Sequence, residues 1–140
     1  SGREPTGYHM TIFTFVLLIL HLPYVFGLDL VLTNWLRTIS LFFIFVVLWD
    51  FLWFVLNPYH PLKQFGPKHI WWHKKWWGGL PSDYYLSVLL SFLVPLPLLW
   101  MGQQIMIHWW LTQMGLFIAH TLVLIAFTLF VLKIDNWQKK

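Results

Sequence analysis

The sequence predicts an all-α integral membrane protein with four transmembrane helices and a short interfacial amphipathic helix between the second and third. Composition is the first observation: 59% of the 140 residues are hydrophobic and only 10% are charged, whereas soluble domains carry about 25% charged residues. The second is a set of four apolar runs, each close to the length of about 20 residues that a helix needs to cross the hydrocarbon core. The runs do not alternate polar and apolar residues as barrel strands do, so helices are favoured.

The chain divides into a short polar N-terminus and one membrane domain. Residues 1–9 are polar and patternless, and we interpret them as an expression-tag remnant with Met10 as the native start. Residues 10–140 form a single four-helix transmembrane domain in this interpretation, with spans at about 11–32, 38–56, 85–101 and 114–132. Pro95 and Pro97 predict a kink or an end in the third span, because proline removes a backbone donor. The absence of cysteine excludes disulfides and thiolate metal sites.

The distribution of lysine and arginine predicts the orientation. Four spans place both termini and the 57–84 connection on one side of the membrane. That side carries seven lysines and the other only Arg37; the seven are Lys63, Lys68, Lys74, Lys75, Lys133, Lys139 and Lys140. Cytoplasmic loops hold the excess of positive charge. The sequence therefore predicts a multi-pass protein with both termini and the 57–84 connection in the cytoplasm.

The middle connection contains the predicted interfacial helix. Pro67 is suited to the first turn of a helix and Gly78-Gly79 to its end, which gives about two turns over His69–Trp77. Tryptophans on one face of such a helix would lie at the level of the lipid headgroups. Basic side chains beside them would contact anionic lipids, and these are Lys68, Lys74 and Lys75. Membrane lipids are therefore expected partners.

The histidines of this connection are candidate ligands of a metal ion. On the predicted helix His69 and His73 are four residues apart and share a face, which is a spacing that can bring two imidazoles to one divalent metal ion. His60 and Asp50 are the candidates for further ligands. Ile70 stands where a zinc protease has glutamate, so metalloprotease activity is disfavoured. The alternative is that the histidines are ordinary polar groups of an interfacial helix.

Asp50 is the strongest candidate for a functional side chain. An ionisable group inside a span is costly and usually faces protein or water at a site. It lies roughly 10 Å below the cytoplasmic boundary at 1.5 Å per residue. With Trp53 and Asn57 it would form the wall of a ligand-binding site. The alternatives are a buried hydrogen bond to a neighbouring helix and a proton-coupling role.

Two histidines lie inside the predicted spans. His21 and His120 are about 15 Å and 19 Å from the inner ends of their helices, so the two rings are expected at similar depth. Opposed histidines on antiparallel helices could be the axial ligands of haem b. The simpler alternative is hydrogen bonding across helices.

The sequence leaves the activity open between several classes. The first is a binding site for a metal ion or a polar lipid headgroup at the cytoplasmic mouth of the bundle, with or without catalysis. The second is a dimeric small transporter or channel with Asp50 as the coupling carboxylate. The third is a non-catalytic accessory subunit of a larger membrane complex. Nucleic acid is disfavoured as a partner because apolar spans flank the basic residues, and no phosphate loop or nucleophile elbow is present.

Overall fold

Helices dominate the protein, which we describe from a computed structural model of residues 7–57 and 59–134. The α-helices in these residues are α1 (Gly7–Val25), α2 (Leu32–Leu56), α3 (Ser82–Leu93), α4 (Pro97–Trp100) and α5 (Ile105–Ala126), and α5 continues into a π-helical turn, Phe127–Val131. Among the described residues, four helical stretches are long and apolar enough to cross a membrane, with mean hydropathies between 1.4 and 2.5. The fold is therefore compatible with the predicted multi-pass membrane class.

Helix α2 is the centre of the fold and packs against α1, α3 and α5. Small polar side chains lie at these contacts, which allows close approach of the helix backbones. The hydroxyls of Tyr24 on α1 and Thr38 on α2 are 2.7 Å apart. The indole of Trp110 on α5 donates to the Ser91 hydroxyl on α3 at 3.1 Å. Ser40 and Ser91 are both fully buried, so these interactions connect the helices within the apolar interior.

The third span is broken at its proline pair, as the sequence predicts. Helix α3 ends at Leu93 and α4 begins at Pro97. Pro95 has no N–H group, so it cannot donate to the carbonyl of Ser91 one helical turn earlier. The hydroxyl of Ser40 donates to that carbonyl instead, at 2.5 Å. Helix α2 thus satisfies the backbone acceptor that the break in α3 leaves unpaired, which is the condition for tolerating proline in a span.

We expect Ser40→Ala to lower the free energy of unfolding by about 1 kcal/mol, because it leaves a buried carbonyl unsatisfied. In a Pro95→Ala background residue 95 regains an N–H that can donate to Ser91, so the same substitution should then cost close to nothing. Unfolding titrations of the four proteins of this double-mutant cycle measure the coupling directly. An equal cost of Ser40→Ala in both backgrounds would show that the hydroxyl does not compensate for the proline.

The predicted interfacial helix is wrong. The described part of the α2–α3 connection, residues 59–81, contains no α-helix; it has a 3₁₀ turn at Leu62–Gln64 and an antiparallel hairpin of β1 (Trp76–Trp77) and β2 (Leu80–Pro81). Gly78 and Gly79 have φ angles of 52° and 87°. Two consecutive residues with positive φ form the tight turn that joins paired strands. The glycine pair therefore reverses the chain and does not cap a helix.

The helix boundaries also differ from the predicted spans. Helix α5 begins at Ile105, nine residues before the predicted start of the fourth span, so Trp109 and Trp110 lie in the helix. The Arg37 guanidinium lies 5.3 Å from the centroid of the Trp109 ring. Gly7–His9 form the start of α1, while residues 1–6 of the predicted tag remnant lie outside the described residues, as do Lys139 and Lys140. The tag interpretation and the orientation stay predictions.

Candidate functional site

The hairpin brings two carboxylates, Asp50 of α2 and Asp83 of α3, together around His73. The backbone N–H of Ser82 donates to the carbonyl of Lys75 at 2.9 Å, which fixes the start of α3 beside the residues before β1. The Trp76 indole donates to the His73 carbonyl at 2.9 Å. As a result His73 lies between the first turn of α3 and the last turns of α2. We call Asp50, His73, Asp83 and Tyr84 the His73 cluster.

The His73 imidazole bridges two carboxylates. Its Nε2 lies 3.3 Å from Oδ2 of Asp50, and its Nδ1 lies 3.4 Å from Oδ2 of Asp83. The first contact has ion-pair distance without hydrogen-bond alignment, so its attraction is mainly Coulombic. The Tyr84 hydroxyl donates to the same Asp50 oxygen at 2.6 Å. One carboxylate oxygen in the second span therefore accepts a hydrogen bond and faces an imidazole.

The electrostatics favour a proton on His73. Burial of the ring lowers its pKa, but the side-chain contacts and negative charges of Asp50 and Asp83 outweigh burial and raise the pKa above the ordinary histidine value. This balance follows from placing two carboxylates against one imidazole, since opposite charges favour the charged form. The protonated form of His73 is therefore favoured over a wider pH range than in an ordinary histidine.

Aromatic rings enclose the imidazole. The ring centroids of Trp76 and Tyr84 are each 6.0 Å from that of His73, and Trp72 is 6.4 Å away. The His73 side chain is only 9% exposed, whereas the side chains of Asp50 and Asp83 are 40% and 42% exposed. The two carboxylates are therefore more exposed than the imidazole that connects them.

The other predicted metal ligands do not join the cluster. The His60 ring stacks on Trp53 at a centroid distance of 5.4 Å, and His69 is exposed. In residues 7–57 and 59–134 no group of three or more histidine, aspartate or glutamate side chains is arranged to hold a metal ion. The spacing argument fails because residues 69–73 do not form a helix, so His69 and His73 do not share a helical face. Of the four predicted ligands the structure brings only His73 and Asp50 into contact, and a metal-binding role for them stays a prediction.

Asn57 and Trp53 have contacts in the α2–α3 connection. Asn57 ends α2, and its side-chain Oδ1 accepts a hydrogen bond from the N–H of Tyr59 at 2.9 Å. Trp53 stacks on His60 and also contacts the edge of Trp72. A ligand role for these two residues stays a prediction. The proposed headgroup lysines Lys68, Lys74 and Lys75 are all exposed, which leaves their role as a prediction also.

The two histidines of the haem hypothesis make hydrogen bonds within their own helices. The Nδ1 of His21 is 2.7 Å from the carbonyl of Leu17, and the Nδ1 of His120 is 2.7 Å from that of Leu116. His120 is exposed on α5. Because these carbonyls are acceptors, Nδ1 carries the proton in both rings. Both Nδ1 atoms therefore bond within their own helix, and not across helices as the simpler alternative had predicted. A haem role stays a prediction.

Asp83 and Tyr84 are the cluster members that were missed in the sequence. The signal was the glycine pair: Trp-Trp-Gly-Gly-Leu-Pro fits a hairpin with a two-residue turn. Had a hairpin been predicted there, the residues before Trp76 would have been expected to lie beside those after Pro81. The Asp83 carboxylate would then have been a candidate partner of His73.

Comparison with models of known protein families, with curated proteins and with solved structures gave no match. The fold supports a coarse class, a chain with four helices that could cross a membrane. An activity has to be inferred from the chemistry of the His73 cluster.

Proposed function

We propose that this chain is a small proton transporter or channel, in which the His73 cluster takes up and releases the transported proton. The observation that carries the proposal is the position of His73 between Asp50 in α2 and Asp83 in the first turn of α3. A carboxylate within a span is costly, and such groups commonly belong to proton relays or substrate paths. The metal-binding alternative lacks a ligand set in the described residues.

The cluster has the groups that a proton relay needs. An imidazolium carries an N–H on each ring nitrogen, so it can lose its Nε2 proton to Asp50 and become the neutral Nδ1–H form. After a tautomer exchange or a ring flip moves the remaining proton to the other nitrogen, the ring can accept a new proton from the Asp83 side. The hydrogen bond from Tyr84 stabilises the ionised form of Asp50 after it has passed its proton on. The aromatic enclosure restricts water around the ring, which favours transfer through the imidazole over transfer around it.

The orientation and assembly are part of the proposal. We place the α2–α3 connection and both termini in the cytoplasm because the lysines are concentrated on that side of the spans. The cluster would then exchange protons with the cytoplasm. Four helices enclose little space on their own, so we propose a homodimer in which the 40% exposed side chain of Asp50 faces a path at the subunit interface.

We expect liposomes that contain the purified protein to dissipate a pH gradient, and His73→Ala and Asp50→Asn to reduce that flux to the level of protein-free liposomes. His69→Ala is the matched control, since this histidine lies in the same connection but is exposed. A trapped pH-sensitive dye reports the flux. Wild-type flux in His73→Ala, or an equal loss in His69→Ala, would contradict the proposal. Each variant is first checked for unchanged oligomeric state in detergent.

A further inference from the structure

A second site lies at the same end of the bundle and uses none of the His73 cluster. It is a pocket of about 390 Å³ where the end of α2 meets the residues that follow α5. Its lining residues are Val55, Asn57, Pro61, Leu62, Lys63, Leu129 and Ile134. The volume lies within the range of roughly 300–1,000 Å³ that is usual for ligand pockets.

The end of the fourth span forms one wall of this pocket. The N–H of Leu132 donates to the carbonyl of Phe127 at 3.0 Å, which is the five-residue step of a π-helical turn. Lys133 follows with a φ angle of +50°, in the left-handed region that non-glycine residues rarely adopt. This wide turn and the reversal after it allow both Leu129 and Ile134 to line the pocket. Wide turns of this kind are often found at functional sites.

The chemistry of the lining is that of an amphipathic anion site. Val55 and Ile134 are buried apolar residues of the wall. Among the described residues that line the pocket, the polar side chains are those of Lys63 and Asn57, and none is a carboxylate. The Asn57 Oδ1 accepts a hydrogen bond from the Tyr59 N–H, so its Nδ2 remains as a donor. A cation and a donor above apolar walls complement an anionic head joined to a hydrocarbon chain.

We propose that this pocket binds one anionic phospholipid, with its phosphate at Lys63 and Asn57 and an acyl chain against Val55 and Leu129. The pocket lies at the end of α2 and α5, two helices that could cross a membrane, which is where phospholipid headgroups would be found. Free phosphate could pair with the Lys63 ammonium but would make no favourable contact with the apolar walls. The chain carries 9 lysines and arginines against 5 acidic residues, so its net charge also favours an anionic lipid.

Native mass spectrometry of the full chain in neutral detergent tests the proposal. Phosphatidylglycerol and phosphatidylcholine with identical acyl chains are added in parallel, and inorganic phosphate is a third ligand. We expect one phosphatidylglycerol per chain, and binding about tenfold weaker in Lys63→Gln through the loss of one charge-assisted hydrogen bond. Leu129→Trp should block binding by filling the pocket without a change of charge. Lys68→Gln is the control for general attraction to the basic surface, because it removes an exposed lysine of the predicted headgroup set that lies outside the pocket. It should leave the binding of one phosphatidylglycerol per chain in place.

Four results would overturn the proposal. Equal loss in Lys63→Gln and Lys68→Gln would indicate a general attraction of the basic surface. Equal binding of both lipids would show that the negative charge of the lipid is not recognised. Unchanged binding in Leu129→Trp would show that the lipid does not bind in the pocket. Binding of inorganic phosphate as tight as that of phosphatidylglycerol would identify a soluble anion as the ligand. Because the readout is lipid binding, the result is independent of the proton flux assay.

Discussion

Replacing Phe54 with alanine is expected to lower the free energy of unfolding by about 3–5 kcal/mol, the usual cost of truncating a buried aromatic residue. Phe54 is 1% exposed near the end of α2. Its ring centroid lies 5.0 Å from that of Phe65 and 6.1 Å from that of Trp72, on which it stacks. The truncation removes two of the aromatic contacts that hold the α2–α3 connection against α2. The cavity that it leaves can close only in part.

Phe130→Ala is the matched control for this prediction. Phe130 is 75% exposed in the π-helical turn, and in a bilayer a lipid-facing ring gains little from burial because lipid tails are as apolar as the side chain. We expect its truncation to change the free energy of unfolding by no more than about 0.5 kcal/mol. Detergent-denaturation titrations of both variants measure the difference. Similar costs for the two variants would show that the aromatic contacts around Phe54 do not stabilise the fold.

The spans were predictable from the sequence because they depend on composition alone. A run of about 20 apolar residues predicts a crossing helix whatever its neighbours are, and the break at Pro95 follows from a missing N–H group. The exact ends were not predictable in this way: α2 begins at Leu32, six residues before the predicted start, because Thr33 and Asn34 are compatible with a helix that continues beyond the apolar core.

The connection between α2 and α3 was harder because several local patterns compete there. His69 and His73 fit a helical face, whereas the glycine pair fits both the end of a helix and the turn of a hairpin. The choice depends on contacts distant in sequence, such as the hydrogen bond between Tyr84 and Asp50, which are 34 residues apart. The prediction that Asp50 marks a site needed only the cost of a charge in a span. Which side chains contact Asp50 could be determined only from the three-dimensional fold.

The pKa of His73 provides the sharpest test of the site, because its two main influences have opposite signs. Burial lowers the pKa, and Asp50 together with Asp83 raises it beyond the ordinary value of 6.5. We therefore expect a pKa above 6.5 in the wild-type protein and below 6.5 in the double variant Asp50→Asn, Asp83→Asn, where burial remains and the charges do not. NMR titration of the protein with labelled histidine follows the ring, and His73→Gln assigns its signal. An unchanged pKa in the double variant would exclude the carboxylates as the cause.

The same shift fixes the sign of the pH dependence of stability. The folded pKa is higher than the unfolded one, so the native state binds the proton more tightly and stability falls as the pH rises. The contribution of His73 is fully present below pH 6.5 and is lost as the pH rises through the raised folded value. Unfolding titrations of the wild type and His73→Gln across this window isolate that contribution, since the remaining groups are common to both proteins. The difference in stability between them should shrink as the pH rises; a difference that grows with pH would mean that burial outweighs the two carboxylates and that His73 is neutral in the folded protein.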